Sequence, residues 1–206
     1  MANHTNWWDG ILAFLLSREL GIGFHILMDA AELGRYRAFR WIGVLPLRRK
    51  ALKGAYADLA AARRCLRPAA GLWIFPQGSR RPQGERPSRL ARGAAHLAIA
   101  HGGAVRLAPV AFRYVFVSEQ RPEAFALVGQ PQLIQPGAAG ADRHELTGAI
   151  ERALLATLDA LDSRLDEEAH GSFRTLVAGR LSVNKRMDRF RHAVGLLRGP
   201  FEARNG

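Results

Sequence analysis

Apolar runs of four or five residues recur along this chain, and stretches with helical spacing separate them. That alternation narrows the choice of folds more than any other property of the sequence. Phe24–Met28, Val44–Leu47 and Leu72–Phe75 are too short for helices and are bordered by turn-forming residues, so each is expected to be a strand. Pro46 inside the second points to a sheet edge or a strand end. Ile11–Leu20 is apolar on most faces and is expected to be a buried helix ending at Gly21. Ala30–Ile42 has helical spacing through Leu33, Tyr36, Arg37 and Arg40. Leu52–Leu66 has it through Leu52, Tyr56, Leu59, Ala60 and Arg63, with Pro68 to stop it. Leu90–His101 is an alanine-rich helix closed by Gly102-Gly103. Leu107–Val117 reads as one or two strands and Phe125–Val128 as another. Glu145–Leu165 is the longest expected helix, with Leu146, Ile150, Leu154, Leu158 and Leu161 on one face. Residues 172–199 are basic and amphipathic, and a helix is expected there.

Strands alternating with helices predict an α/β layered domain whose mixed sheet is largely parallel and flanked by helices. No repeat or low-complexity linker divides the chain, and Pro136–Gly140 reads as a loop. Residues 1–206 are therefore expected to form one domain, ending in a basic amphipathic segment from about residue 172.

The hydrophobic share of 48% excludes a disordered chain. The net charge of +12 and pI of about 11.3 predict an anionic partner: lipid headgroups, nucleic acid or a phosphorylated substrate. Arginine supplies most of that charge, and a chain rich in Arg, Ala and Gly can also reflect coding bias, so charge alone is weak guidance. Cys65 is alone, which fits a reducing compartment and leaves no cysteine-rich metal site. No apolar run reaches the roughly 18 residues of a membrane span, and no secretory signal is expected at the start.

Two segments carry chemistry. Asn3-His4-Thr5-Asn6-Trp7-Trp8-Asp9 sets an imidazole five residues before a carboxylate, at the start of an apolar helix. His4 could accept a proton from a hydroxyl and return it, and Asp9 could reach back to the other ring nitrogen and fix the tautomer. The spacing is common, and capping and turn roles would also explain Asn3, Asn6 and Asp9. His4 lies three residues from Met1, too close for any preceding element to hold it. The second segment is Phe75-Pro76-Gln77-Gly78-Ser79-Arg80-Arg81. Gly78 would let backbone N–H groups approach a developing oxyanion, and Arg80 and Arg81 could clamp a phosphate. An ordinary strand-ending turn with solvated arginines is the plainer reading of that segment alone. Arg48, Arg49 and Lys50 follow Val44–Leu47 and offer a further anion cradle, or a solvated charge run. Ser79 lacks the Gly-x-Ser-x-Gly elbow of a nucleophile. The remaining histidines have no ligand-like spacing.

In this order and spacing the segments resemble the glycerolipid acyltransferase superfamily, specifically its 1-acyl-glycerol-3-phosphate (lysophosphatidic acid) acyltransferase type. Asn3–Asp9 looks like the first block, Asn-His-x-x-x-x-Asp. Gly43-Val44-Leu45-Pro46-Leu47-Arg48-Arg49 is similar to the second, a glycine followed six residues later by arginine. Phe75–Arg80 resembles the third, Phe-Pro-Glu-Gly-Thr-Arg, and Ala108-Pro109-Val110-Ala111 stands where the fourth has Val-Pro-Val. The resemblance covers residues 3 to about 130. It implies His4 as general base, Asp9 as its orienting partner, and backbone N–H groups near Gly78 for the oxyanion. Arg48, Arg49, Gln77, Ser79 and Arg80 would bind substrate, with Arg49 and Arg80 on the acceptor's phosphate. The donor would be acyl-CoA or acyl-carrier protein, attacked directly by the acceptor hydroxyl, with no metal or other cofactor.

Two departures stand out. Gln77 replaces the usual glutamate, which suggests an altered acceptor pocket and opens the way to a glycolipid, carotenoid glycoside or other lipid hydroxyl. The family's N-terminal membrane-binding helices and first strand have no counterpart here, so a fragment or a misassigned start is expected. The resulting expectation is a lipid O-acyltransferase peripheral to the cytoplasmic face of an anionic membrane, acting in phospholipid biosynthesis. Arg180, Lys185, Arg186, Arg189 and Arg191, alternating with Leu181, Val183, Met187, Phe190 and Val194, would lie in the interface or form a solvated tail helix. A nucleic-acid-binding module is the rival from another class, but no recognition signature supports it and no nucleic acid is expected. A catalytically dead lipid-binding relative is the third reading.

Overall fold

The computed structural model describes residues 1–117, 121–135, 142–166 and 169–179. The chain divides into two compact units. The first comprises Met1–Arg113 and Phe125–Phe173, the second Tyr114–Ala124 and Arg174–Gly206.

The first unit is an α/β domain. Its elements run α1 (Asp9–Glu19), β1 (Gly23–Asp29), α2 (Ala30–Arg35), a 3-10 helix (Arg37–Ile42), β2 (Val44–Leu47), α3 (Leu52–Arg63), β3 (Ala70–Trp73), α4 (Gly93–His101) and β4 (Val105–Leu107). Then come β5 (Val110–Val115, up to Arg113 in this unit), β6 (Glu123–Val128, from Phe125 in this unit), β7 (Gln132–Ile134) and α5 (Arg143–Asp166). β2, β1 and β3 form a parallel sheet in that order, with Ile26 opposite both Val44 and Trp73. The helical connections between these strands supply the crossovers that parallel pairing requires. β4 pairs antiparallel with β7, and β5 pairs with β6. Pro46 does sit on an edge strand, where its missing N–H costs no ladder bond.

Several expectations shift. α1 begins at Asp9, two residues ahead of the apolar run, because the Asp9 carboxylate gathers the N–H groups of Thr5 and Asn6 at the helix start. Ala30–Ile42 is two helices rather than one, broken at Tyr36, whose ring stacks on Phe39. Gly34 weakens the helix just before the break. The third strand lies at Ala70–Trp73, so Ile74 and Phe75 are already leaving the sheet toward the turn. α4 starts at Gly93, not Leu90. Leu107–Val117 resolves into two strands parted at Ala108-Pro109, and β7 was not foreseen. Residues 173–179 are bends and irregular backbone, where a helix was expected; Thr175, Val177 and Gly179 are poor helix formers. The rest of that expected helix, including Arg180–Val194, lies outside the described residues, as does the Pro136–Gly140 segment with its loop reading.

Two apolar clusters support the sheet. Ala13, Ile26, Leu33, Val44, Trp73 and Phe112 join α1 and α2 to the strands. Leu90, Ala94, Ala95, Ala98, Leu146 and Ile150 join α4 to α5. The expected face of α5 is buried in full, from Leu146 to Leu161. Trp73 donates its indole N–H to Ser17 Oγ at 2.7 Å, so the one polar atom of this core tryptophan is satisfied. Gly43 has φ 97°, and a methyl there would run into the Phe24 carbonyl oxygen; the entrance to β2 requires glycine.

The first residues contradict the expectation that nothing could hold His4. Ala2 bridges Val110 in parallel, its N–H donates to the Ile74 carbonyl at 3.0 Å, and Val110 N–H donates to the Met1 carbonyl at 2.8 Å. Asn3, fully buried, uses its side chain as a backbone rung: Phe112 N–H donates to Oδ1 at 2.7 Å and Nδ2 donates to the Phe112 carbonyl at 3.1 Å. The segment thus runs as an extra rung between the end of β3 and β5. His4 follows immediately, on a rigid base.

Candidate functional site

The carboxyl ends of the three parallel strands carry Asp29, the Arg48-Arg49 pair and the Phe75–Gly78 turn. In open α/β sheets that edge is where ligands bind, because the connecting loops splay apart there. Here it borders a cavity of about 780 Å³ whose lining residues all belong to the first unit. That volume lies in the ~300–1,000 Å³ range of small-molecule sites. Most of the wall is apolar, including Ile11, Phe14, Phe24, Leu27, Phe39, Val44, Leu47 and Leu59. His4, Asp29, Glu32, Arg49, Tyr56, Ser79, Arg80, Arg92, His96 and Arg143 supply the polar part.

His4 Nδ1 is 2.8 Å from Asp9 Oδ2. Asp9 is fully buried, while the His4 side chain keeps 23% exposure toward the cavity. The same carboxylate oxygen accepts the N–H groups of Thr5 at 2.7 Å and Asn6 at 2.9 Å. A carboxylate can only accept, so Nδ1 is the donor of this bond, and in the neutral ring the lone pair is on Nε2. The imidazole also stacks on Phe75, centroid to centroid 4.3 Å.

The turn after β3 is locked against His4 from both sides. Gln77 Oε1 accepts the His4 backbone N–H at 2.6 Å, and Arg81 N–H donates to the His4 carbonyl at 2.9 Å. Gln77 therefore acts as a strut, a role for which amide and carboxylate oxygens serve alike. It is not among the residues lining the cavity, which corrects its expected part in an altered acceptor pocket. Gly78 adopts φ 72°, and its N–H closes the turn on the Phe75 carbonyl at 3.1 Å. Gly78 thus shapes the turn and is not itself a free donor. The N–H groups of Ser79 and Arg80, just beyond it, make no hydrogen bond among the described residues.

The arginines separate. Arg49 lines the cavity, and a methyl on Gly78 would lie 3.5 Å from its Nη1. Asp29 holds it, Nε to Oδ2 at 3.1 Å, while Asp29 Oδ1 caps α2 through Ala31 N–H. Burial raises the Asp29 pKa, but the Ala31 N–H and the Arg49 guanidinium outweigh it and hold the carboxyl below its ordinary range. Arg80 lines the cavity without a carboxylate partner among the described residues. Arg48, expected among the substrate-binding residues, is turned away: it forks onto Asp58 at 2.9 and 2.7 Å and does not line the cavity. Its Nε and Nη2 are committed to the Asp58 carboxylate, whose charge offsets its own, so it is no free anion cradle.

Sequence reasoning missed the cavity residues Asp29, Glu32, Tyr56, Arg92, His96 and Arg143. Asp29 had a visible signal, an aspartate directly before a helix. Arg92, His96 and Arg143 reach the cavity only through the packing of α3, α4 and α5. Burial, then the charges of Arg143 and Arg63, lower the His96 pKa. Among the described residues, no group of three or more His, Cys, Asp or Glu side chains converges on a metal position. None of their helices is long and apolar enough to cross a membrane.

Comparison with known proteins agrees with this geometry. A family model described as Acyltransferase matches residues 1–113, more than half of the chain, and the protein belongs to that family. The match takes in His4, Asp9, Arg49 and the Gly78 turn. No curated protein and no solved structure matches the chain at a significant level.

Proposed function

We propose that this protein is a lipid O-acyltransferase that moves a fatty acyl group from acyl-CoA or acyl-carrier protein to the hydroxyl of lysophosphatidic acid or a related lipid. One observation carries the reading: the His4–Asp9 pair, 2.8 Å apart, opens onto a largely apolar cavity beside the Gly78 turn. The apolar walls suit an acyl chain, and Arg80 and Arg49 suit a phosphate headgroup.

His4 Nε2 takes the proton of the acceptor hydroxyl as its oxygen attacks the thioester carbonyl carbon. Asp9 keeps the ring in the reactive tautomer and stabilises the imidazolium that forms. The Ser79 and Arg80 N–H groups receive the tetrahedral oxyanion. Collapse breaks the carbon–sulfur bond, and the imidazolium returns its proton to the departing thiolate. The acceptor is drawn from the cytoplasmic face of an anionic membrane.

A second reading, an acceptor without phosphate such as a glycolipid or carotenoid glycoside, draws on Arg49 being already paired with Asp29. One labelled acyl-CoA, offered with lysophosphatidic acid and with a panel of neutral lipid alcohols, separates the two. The expected result is transfer to lysophosphatidic acid, with Arg80→Ala raising KM about tenfold or more through loss of a charged hydrogen bond. Preferred transfer to a neutral alcohol, unchanged by Arg80→Ala, would select the second reading. No transfer to any alcohol, from CoA or carrier protein, would overturn both.

A further inference from the structure

The 3-10 helix Arg37–Ile42 and the tryptophans before α1 form a surface that the chemistry above does not use. Trp41 is 91% exposed, the most open of the large apolar side chains among the described residues. Trp8, Tyr36 and Ile42 are about half exposed. These groups are not scattered: Trp7 lies against Trp8, Tyr36 and Phe39, with ring centroids 5.9, 6.5 and 6.4 Å away. Exposed aromatic clusters of this kind mark interaction sites.

Charge sits between the rings. Arg35, Arg37 and Arg40 are all exposed, and none has a carboxylate partner among the described residues. The contrast with Arg48, Arg49, Arg86 and Arg113, each paired with an aspartate, is plain. Unpaired guanidinium groups interleaved with tryptophan and tyrosine suit the headgroup level of an anionic bilayer, where amphipathic rings and cations both find partners. The inner side of the same cluster, Trp7, Phe39 and Ile42, lines the cavity.

We propose that Tyr36–Ile42, with Trp7 and Trp8 beside it, is the face that docks on an anionic lipid bilayer and connects the cavity to it. The choice of a bilayer rather than another anionic surface rests on the lipid-acyltransferase reading; the docking itself is measurable without turnover. Trp41 enters the interface, the three arginines meet lipid phosphates, and an acyl chain passes between Phe39 and Ile42 into the cavity without crossing water.

The test uses the whole chain and vesicles of phosphatidylcholine, with and without phosphatidylglycerol. An environment-sensitive fluorophore on Ala38→Cys, in a Cys65→Ser background, is expected to shift to the blue on adding anionic vesicles. The same label on Leu133→Cys, on β7 and off the cavity, is expected not to shift. Sedimentation of the unlabelled protein is expected to show a severalfold loss of binding for Trp41→Ser. For Arg37→Gln with Arg40→Gln a loss of about thirtyfold on anionic vesicles is expected, since each cation near the leaflet contributes about fivefold. His4→Ala is expected to bind vesicles like wild type, so that docking and chemistry fail separately. Unchanged vesicle binding in both rim variants would overturn the proposal even if acyl transfer were established. So would a fluorophore at Ala38 that ignores vesicles but is shielded by an acidic carrier protein, which would assign the face to a protein partner.

Discussion

Two borders of the cavity are built on opposite terms. At the His4 border, hydrogen bonds fix the positions of the groups. Asn3 is a rung between strands, Asp9 draws three donors to one oxygen, and Gln77 and Arg81 grip the His4 backbone. At the Tyr36–Ile42 border, rings stand in solvent and arginines lack carboxylate partners among the described residues. A base that must meet a hydroxyl within hydrogen-bond reach needs the first kind of construction. A surface that receives substrate from outside needs the second, because groups already satisfied internally have little to offer a partner. The difference teaches where each substitution should register: in rate and stability at one border, in surface binding at the other.

The largest effect is expected from Asp9→Ala. It frees the His4 ring and strips two N–H groups of their acceptor, so acyl transfer should fall by at least about 10²-fold. A rate within a factor of two of wild type would mean that the imidazole is oriented by something else. Asn3→Ala comes next. It leaves the buried N–H of Phe112 unpaired and its C=O with only the 3.5 Å bond from Arg113 Nη1, and the melting curve should show a loss of about 1–3 kcal/mol. An unchanged melting temperature would reduce the contrast between the two borders to a matter of exposure. Smaller again is the pH dependence carried by His96. Its folded pKa lies below the ordinary 6.5, so the unfolded chain takes up that proton first. Its contribution to stability should fall as pH drops from about 7 toward 5, and above that range the residue should contribute no slope. His96→Gln should flatten this part of the stability–pH curve; an identical curve would remove His96 as the cause. The least change is expected from Trp41→Ser, within about 0.5 kcal/mol of wild-type stability. A clear destabilisation would show that Trp41 packs against the protein rather than meeting a partner.

Much of this architecture can be read from the sequence, and the exceptions have physical causes. The parallel strands and α5 follow from local patterning: short runs of apolar residues, and a five-residue stripe that α5 buries completely. The break at Tyr36 does not, because ring stacking on Phe39 overrides a helical spacing that continues across it. The first four residues hold no local signal either. Asn3 pairs with Phe112, 109 positions on, and long-range pairing of a side chain with backbone leaves no periodicity to detect. At the site, His4, Asp9 and the Gly78 turn were legible as motifs, yet the motif could not say which atoms are already engaged. Gly78 N–H closes its own turn, Gln77 braces a backbone group, and Arg48 faces Asp58, all facts of three-dimensional neighbours. Arg143 reaches the cavity from a helix beyond the last motif, which spacing alone cannot reveal.

The central claim is that the His4 imidazole, held by Asp9 and facing the turn around Gly78, takes the acceptor's proton. The most direct measurement is the initial rate of labelled acyl transfer to lysophosphatidic acid by wild-type and His4→Ala protein, each first shown to melt as a folded chain. The expected result is a loss of about 10²–10⁴-fold in the variant. Equal rates in the two proteins would contradict the claim, and the acid–base role of His4 would have to be abandoned.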